Sequence, residues 1–306
     1  MSASPLRATH AWTDTTATIR VAGLAAPVRV LHVTDSHVAL TDAADTEHLA
    51  KAAPFREKFG RHRQDAQGRP VYTETSFTEA CDIAGREQVD LLALTGDIAH
   101  FPSRANVDFI AGKVQAAGVP ALYTSGNHDW HFPGDEGRDE LRERFWPRLQ
   151  ACYDLAPPPA NRAACAARDI GGLTFLAVDD STYQITPAQL QFAREQLARG
   201  RPTVLLVHIP ISIATLREKT IATWQAPILI GDPDWGLESR TAWDTPADRA
   251  ETLAFVRLCA SAANLVAVLC GHIHFPHADA LGPQAMQYVT TPGFAGGLRR
   301  IEFLPL

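Results

Sequence analysis

Six short and nearly continuous apolar runs recur along this chain, and they constrain its fold more than any other feature of the sequence. Each run is five or six residues long, which suits a β-strand and is too short for a typical helix. Runs that do not alternate with polar residues are typical of strands buried on both faces of a sheet. The runs are Val28–Val33, Val89–Leu94, Val119–Tyr123, Leu173–Val178, Thr203–Val207 and Leu265–Leu269, and two later segments, Gln287–Val289 and Arg300–Leu304, are further candidates.

Helix-start signals lie between the apolar runs. Serine and threonine side chains accept hydrogen bonds from the first turn of a helix, and glycine commonly ends one. The signals are Ser76 with Glu79, Ser103 with Gly118 as the stop, Thr186-Pro187-x-Gln189, and Thr245-Pro246 before Leu253, Val256 and Ala260. Strands that alternate with helices indicate an α/β fold with a layered sheet. The segment Ile170-Gly171-Gly172-Leu173 predicts a tight hairpin, so part of the sheet is expected to be antiparallel.

The composition limits the classes of partner. The 306 residues are 46% hydrophobic, which is sufficient for a sizeable core, and we expect one domain over residues 1–306. The formal net charge of −6 supplies no general attraction for nucleic acid or anionic lipid, so neither a nucleic-acid partner nor a membrane is expected. An anionic substrate must then be attracted by a local feature such as a metal ion. The sequence contains no signal for an oligomeric state.

The cellular compartment is predicted from the N-terminus and the cysteines. The chain has no apolar run of the roughly 18 residues that a membrane span requires, and its N-terminal segment lacks the apolar core of a signal peptide. Its five cysteines are odd in number and form no Cys-x-x-Cys pair. We therefore expect reduced thiols in the core of a cytoplasmic protein.

Polar groups that can bind metal or transfer protons follow five of the apolar runs. Ligands of open α/β sheets bind outside the carboxyl ends of the strands, so these groups are expected to converge if the strands share one sheet end. The groups are Thr34-Asp35-Ser36-His37, Thr95-Gly96-Asp97, Ser125-Gly126-Asn127-His128-Asp129, His208 and Gly271-His272-Ile273-His274.

The candidate ligands are chemically consistent with a pair of metal ions. Oxygen comes from Asp35, Asp97 and Asn127, and nitrogen comes from His37, His208, His272 and His274. This mixed set suits Zn, Mn or Fe. Seven ligands are too many for one tetrahedral site but suit two ions if one carboxylate bridges them, and paired ions are the usual apparatus for displacement at phosphorus. Taken singly, Asp-x-His, Gly-Asp and His208 have ordinary structural explanations, so the prediction depends on the ordered set.

The ordered set resembles the calcineurin-like metallophosphoesterases over residues 29–274. The resemblance implies a four-layer α/β/β/α sandwich with two mixed sheets and a two-metal site at one sheet edge. It implies that Asp35, His37 and His274 bind one ion, that Asn127, His208 and His272 bind the other, and that Asp97 bridges them. It also implies that His128 contacts the phosphate and protonates the leaving oxygen. Many relatives have an aspartate three residues after the bridging one. Here that residue is His100, which replaces the aspartate, touches substrate or is uninvolved.

The implied activity is hydrolysis of a phosphoric ester by a metal-bound hydroxide. Because the chain matches compact bacterial members of the family in length, a small phosphodiester such as a cyclic nucleotide is the leading expectation. The alternatives are a phosphomonoesterase or nucleotide pyrophosphatase, and a non-catalytic binding protein on the same fold. A small phosphorylated substrate and two Mn, Fe or Zn ions are the expected partner and cofactors.

Two stretches, residues 38–75 and 211–244, are long for loops and are expected to form a cap or specificity elements. In the first, the basic segment 55–63 either binds a second phosphate or is a solvated helix face. In the second, Trp224, Trp235 and Trp243 either stack on a base or anchor the segment to the core.

Overall fold

The computed structural model describes residues 6–135, 139–155, 164–243 and 245–306. Its strands are β1 (Ala8–Trp12), β2 (Thr16–Val21), β3 (Val28–Val33), β4 (Leu91–Thr95), β5 (Ala121–Thr124), β6 (Cys165–Ile170), β7 (Leu173–Val178), β8 (Thr203–Leu206), β9 (Leu265–Cys270), β10 (His277–Ala280), β11 (Met286–Val289) and β12 (Arg299–Pro305). All eight predicted runs are strands, with ends shifted by at most two residues. The strands β1, β2, β6 and β10 were not among the predicted runs.

The helices of the described ranges vary in length from 4 to 15 residues. They are α1 (Leu49–Ala52), α2 (Pro54–Gly60), α3 (Thr73–Glu87), α4 (Arg104–Ala117), α5 (Asp139–Phe145), α6 (Gln150–Tyr153), α7 (Pro187–Ala198), α8 (Ala214–Trp224), α9 (Leu237–Thr241) and α10 (Ala250–Ser261), with 3-10 turns at Ala43–Asp45, Trp146–Leu149 and Gly293–Ala295. None of the helices in the described ranges combines the length and apolarity needed to cross a bilayer.

The strands form two mixed six-stranded sheets. The order in the first sheet is β1-β2-β12-β3-β4-β5, and the order in the second is β10-β11-β9-β8-β7-β6. In the first sheet β3, β4 and β5 are parallel neighbours, and in the second β7, β8, β9 and β11 are parallel. The predicted hairpin at Gly171-Gly172 joins β6 and β7 as an antiparallel pair. The carboxyl ends of β3, β4 and β5 therefore lie at one edge of the first sheet, and those of β8 and β9 at one edge of the second.

The two sheets pack face to face between two layers of helices. Phe175 of β7 contacts Phe303 of β12 across the interface, with ring centroids 6.0 Å apart. On the outer face of the first sheet, α3 and α4 bury Phe77 and Val107 in a shared cluster. On the outer face of the second sheet, α7 and α10 bury side chains that include Phe255. This arrangement confirms the expected α/β/β/α sandwich.

The predicted helix caps are confirmed where the capping side chain bonds to an atom within the first turn of its own helix. The Ser103 side chain accepts from Asn106 N, and Gly118 ends α4 in the left-handed conformation. Thr186 and Gln189 form a capping box at the start of α7. The five cysteines are buried and unpaired, in agreement with their prediction as core thiols.

Two predicted helix starts were wrong, and in both places side chains from outside the helix contact the segment where the start was expected. The helix α3 begins at Thr73 rather than at Ser76. The two side chains of the predicted capping box are engaged by Arg63, which donates to Ser76 Oγ (2.9 Å) and to Glu79 (2.6 Å). The helix predicted after Thr245-Pro246 begins only at Ala250.

Side chains from outside the helix hold the segment before α10 in place. Arg240 donates to the Pro246 carbonyl oxygen (3.0 Å) and to the Asp248 carboxylate (2.7 Å), and Gln184 Oε1 accepts from Arg249 N (2.9 Å). With this later start, the helix buries Thr252, Phe255 and Cys259 instead of the predicted face.

Candidate metal centre

Hydrogen bonds from backbone N–H groups join the ends of four strands from both sheets, and His128 N, after β5, donates to Asp97 Oδ1 (2.8 Å). Asp35 N donates to Gly96 O (3.0 Å) and His37 N donates to Asp97 O (2.8 Å), which joins the segments after β3 and β4. Gly271 N donates to His208 O (2.9 Å), which joins the segments after β8 and β9. His272 N donates to the Asp35 carboxylate (2.9 Å) and so connects the two sheets. The residues predicted from the strand ends therefore lie in one crevice.

Several of the candidate ligands adopt a left-handed backbone that L-residues rarely use. The φ angles are +49° at Asp35, +46° at His37, +50° at Asp97, +72° at His272 and +59° at His274. Each such residue costs about 1–3 kcal/mol and persists only where the surroundings enforce it. Such strain is concentrated at functional sites, and here it coincides with the predicted ligands.

Glycines allow the ligand segments to approach each other closely. A Cβ at Gly126 would lie 2.2 Å from Asp97 Oδ1, and one at Gly271 would lie 1.9 Å from Thr34 Oγ1. Both distances are far below van der Waals contact, so no larger residue fits at either position without displacing a ligand segment. The glycines next to Asn127 and His272 are therefore required by the packing of the site.

Asp35, His37 and His274 form the first ligand group. Asp35 Oδ1 lies 3.3 Å from His274 Nε2, and His37 Nε2 lies 3.3 Å from the same atom. His37 Nε2 is 4.0 Å from Asp35 Oδ1. Two atoms bound to one tetrahedral ion at about 2.1 Å are separated by about 3.4 Å, so these spacings fit a shared ion.

Asp97, Asn127 and His208 form the second ligand group. His208 Nε2 lies 3.3 Å from Asp97 Oδ2 and 3.2 Å from Asn127 Oδ1. The same Asp97 Oδ2 is 3.6 Å from His37 Nε2 in the first group. Asp35 is also close enough to join a group with Asp97 and His208. Asp97 therefore faces both groups, as a bridging carboxylate must.

His272 lies beside the second group and is held from behind by Tyr183. The hydroxyl of Tyr183 is 2.8 Å from His272 Nε2, and the ring centroid of His272 is 5.2 Å from that of His208. Because Nε2 is engaged by the tyrosine, Nδ1 is the nitrogen that is free to face an ion. Tyr183 had no signal in the sequence and was missed.

His208 has its tautomer fixed by the backbone. Its Nδ1 lies 2.8 Å from the Thr95 carbonyl oxygen, an acceptor, so Nδ1 carries a proton, and Nε2, which faces Asp97 and Asn127, is the nitrogen left for an ion. A hydrogen bond from the non-ligating nitrogen is the usual partner of a metal-binding histidine. The backbone N–H of His208 also donates to the buried Asp180 carboxylate (2.9 Å).

The electrostatics of the crevice favour a positive charge at its centre. Although burial alone lowers the pKa of His208, the carboxylates of Asp97, Asp35 and Asp180 raise it to about 10. Burial and the neighbouring His208 lower the pKa of His272 to about 3, which keeps that ring neutral. A neutral imidazole beside ionised carboxylates is the donor set that a divalent ion requires.

Asp129 supports the loop that carries Asp97 and had been given no role. Its carboxylate accepts backbone hydrogen bonds from Asp97, Ala99 and Gly126, each of 2.7 Å. Burial and the nearby Asp97 carboxylate raise the pKa of Asp129 to about 8, while the three N–H donors favour its ionised form. Its position in the sequence Gly-Asn-His-Asp was the available signal.

His128 lies at the mouth of the crevice. Its backbone N–H donates to Asp97 Oδ1 (2.8 Å), and its ring stacks on His100 with centroids 4.7 Å apart. Burial and neighbouring histidines, His131 first among them, hold the pKa of His128 well below its ordinary value. The ring is therefore neutral beside the two ligand groups, in reach of a bound anion.

Both long stretches place aromatic side chains against the candidate ligands. From the first, Phe59 stacks on His37 with centroids 4.6 Å apart. From the second, Trp224 lies 5.6 Å from the ring of His274, while Trp235 is buried against Tyr183 at 5.3 Å. Trp235 therefore anchors the segment. In the basic segment, Arg56 pairs with Glu74 and Arg63 with Glu79, so those two charges are engaged within the protein.

Comparison with known proteins relates the chain to one enzyme family. The family model of the calcineurin-like phosphoesterases matches residues 28–276. The chain is 26% identical over 136 residues to a protein from Fibrobacter succinogenes described as a probable cyclic nucleotide phosphodiesterase. That match covers 44% of this chain and 47% of the relative, so the chain spans about half the length of the curated relative it matches.

Two solved structures share the fold. A dimetal phosphatase from Danio rerio superposes with a TM-score of 0.50 at 12% identity, over 88% of each chain. A purple acid phosphatase from yellow lupin seeds superposes with a TM-score of 0.52 at 15% identity, over 92% of this chain and 46% of the other. At these identities the similarity establishes the architecture alone.

Proposed function

Because this chain belongs to the calcineurin-like phosphoesterase family, we propose that it hydrolyses phosphoric ester bonds with two bound metal ions. The observation that carries the proposal is the position of Asp97 Oδ2, which lies 3.3 Å from His208 Nε2 and 3.6 Å from His37 Nε2. One carboxylate oxygen thus faces two groups of ligand atoms. That arrangement suits a bridged pair of ions, which is the common apparatus for in-line displacement at phosphorus.

The assignment of ligands follows the two groups. Asp35, His37 and His274 would hold one ion, and Asn127, His208 and His272 would hold the other, with Asp97 between them. Spacings of 3.2–3.3 Å between neighbouring atoms support the assignment of Asp35, His37, His274, Asn127, His208 and Asp97. The place of His272 is supported by its ring, 5.2 Å from that of His208. When bound, the ions supply Lewis acidity for the phosphoryl oxygens and lower the pKa of a nearby water.

His128 is the proposed general acid. Its ring lies 5.1 Å from that of His37, and its backbone N–H donates to Asp97, so it is placed to contact a phosphate held there. The imidazolium form, stabilised by the negative charge of the substrate, would donate its proton to the leaving oxygen as the phosphorus–oxygen bond breaks. Burial and neighbouring histidines hold the pKa of His128 well below its ordinary value, so the ring is neutral until the negative charge of the substrate stabilises the imidazolium.

The proposed substrate is a small phosphodiester, with a cyclic nucleotide as the leading candidate. The description of the Fibrobacter succinogenes relative supports this class. An aromatic side chain beside the proposed ligands also supports it, because the half-buried Trp224, 5.6 Å from the ring of His274, offers apolar surface to the organic part of an ester. We propose that residues 38–75 and 211–244 are specificity elements of a single domain over residues 1–306.

A substrate panel on metal-loaded protein tests the proposal. Protein freed of metal by a chelator and reloaded with Mn²⁺ should hydrolyse bis(p-nitrophenyl) phosphate and cyclic nucleotides, and should prefer them to p-nitrophenyl phosphate. A strong preference for the monoester or for nucleoside diphosphates would replace the diesterase proposal with a phosphomonoesterase or pyrophosphatase. Stable binding of two ions without hydrolysis of any ester would favour a binding protein. The variant Asp108→Ala, on the exposed face of α4, is the matched control for preparations of site variants.

A further inference from the structure

His100 makes an unusual contact with one of the proposed metal ligands. It follows β4, it is 4% exposed, and its Nδ1 lies 3.0 Å from Nδ1 of His37. The other nitrogen of His37, Nε2, points to the centre of the site, where it is 3.3 Å from His274 Nε2 and 3.6 Å from Asp97 Oδ2. His37 is therefore held between the ligand group and His100.

Proton placement along this contact is determined by chemistry. Two ring nitrogens 3.0 Å apart form a hydrogen bond only if one carries a proton and the other presents a lone pair. If His37 Nε2 binds an ion, it has no proton, so the single proton of the neutral ring is on Nδ1. His37 Nδ1–H must then donate to His100 Nδ1, and His100 must carry its own proton on Nε2.

We infer that His100 is a positioning residue that accepts a hydrogen bond from His37 and thereby fixes the ring plane and tautomer of that ligand. The inference rests on the proposed function, because it requires His37 to bind an ion. Metal-binding histidines normally donate their second nitrogen to a carboxylate, a carbonyl oxygen or a water. In this protein a second histidine supplies the acceptor.

The surroundings of His100 hold its ring in the orientation that this role needs. Its backbone N donates to Val38 O (2.9 Å), and its ring contacts those of Phe55 (4.3 Å) and Phe59 (4.7 Å). Phe59 also stacks on His37, so one aromatic side chain supports both partners of the hydrogen bond. Aromatic packing of this kind restricts both rings more than the hydrogen bond does alone.

The opposite face of His100 stacks on His128 at 4.7 Å and 27°. The residue thus offers two separate features: an acceptor nitrogen for His37 and a ring face for His128. Two substitutions separate them. His100→Asn keeps a polar atom close to the position of Nδ1 and removes the ring, whereas His100→Phe keeps a ring and removes the acceptor.

The experiment measures binding of Mn²⁺ alone to metal-free protein, by competition with a chromophoric chelator, for wild type and both variants. His100→Phe should weaken metal affinity by about 10–100-fold, the usual effect of losing such a partner, while His100→Asn should stay close to wild type. At saturating Mn²⁺, His100→Asn should have a lower kcat than His100→Phe, because His128 has lost its stacking partner only in the asparagine variant. The same affinity in His100→Phe as in wild type, or an equal loss in both variants, overturns the inference.

A matched control and the wild type make each outcome interpretable. His48 is also a buried histidine, stacked on Phe132 at 3.8 Å, and His48→Phe and His48→Asn should leave metal affinity unchanged. Thermal unfolding of each metal-free variant identifies any loss that comes from misfolding. Wild-type protein that binds no Mn²⁺ would refute the proposed function itself, which separates that failure from the failure of the role of His100.

Discussion

Two substitutions of Asp97 should separate the effect of its charge on function from the effect of its side-chain shape on stability. The substitutions Asp97→Asn and Asp97→Ala both remove the proposed bridging carboxylate. Asparagine keeps an oxygen that can accept from His128 N, a bond of 2.8 Å in the structure. Asparagine also tolerates the left-handed backbone at this residue, where φ is +50°. Alanine preserves neither feature.

The expected difference in unfolding free energy between the two variants follows from those two features. Placing alanine in the left-handed region costs about 1–2 kcal/mol. Leaving the half-buried His128 N–H without an acceptor costs about 1–3 kcal/mol. Both variants equally lose the repulsion between the Asp97 carboxylate and its acidic neighbours. Metal-free Asp97→Ala should therefore be less stable than metal-free Asp97→Asn by about 2–5 kcal/mol, the sum of the two terms.

The two variants should nevertheless lose turnover to a similar extent. A bridging ligand serves both ions, and loss of several kcal/mol of charge stabilisation lowers turnover by roughly a thousandfold or more. Urea unfolding in the presence of a chelator measures the stability difference, and elemental analysis with turnover measures the functional loss. Two ions at wild-type affinity with wild-type turnover in Asp97→Asn would refute the bridge. Equal stability of the two metal-free variants would refute the structural reasoning.

Three further predictions concern the other residues of the site. His128→Ala should keep both ions and lose turnover by about 10²–10⁴-fold, and loss of an ion instead would place His128 among the ligands. Tyr183→Phe should weaken metal binding by about tenfold or more, since the hydroxyl holds His272, and unchanged chelator competition would contradict this. The pKa of His208 is raised to about 10, so in metal-free protein its contribution to stability is present below about pH 6.5 and is lost as the pH rises towards 10. The free energy of unfolding of metal-free His208→Asn should lack this fall with rising pH. An identical pH dependence in wild type and variant would show that His208 is not its source.

The strands and caps that could be predicted from the sequence depend on neighbours within a few residues. The runs Val28–Val33 and Leu173–Val178 coincide with β3 and β7, because continuous apolarity over six residues admits few other structures. Ser103 and Thr186 cap helices through atoms three residues away. The strands β1 and β2 have no continuous apolar run. In β2 the apolar residues Ala17, Ile19 and Val21 alternate with polar ones, and the strand pairs with β12 near the other end of the chain.

The residue types of the candidate site could likewise be predicted from short sequence segments, but the convergence of these residues in space could not. The order of Asp35, Asp97, Asn127, His208 and His274 along the chain indicated metal chemistry before any distance was known. The bond from His272 N to Asp35 joins residues 237 positions apart, and only the packing of two sheets brings them together.

The tertiary structure alone decided which side chains support the ligands. The contacts of His100 with His37, of Tyr183 with His272 and of Arg240 with the segment before α10 cross between elements that share no sequence pattern. Hydrogen bonds and pKa shifts depend on distance and burial in space, whereas capping and apolar periodicity depend on distance along the chain. The sequence by itself therefore determined the ligand types and the strands that carry them, and only the fold determined their partners, tautomers and charges.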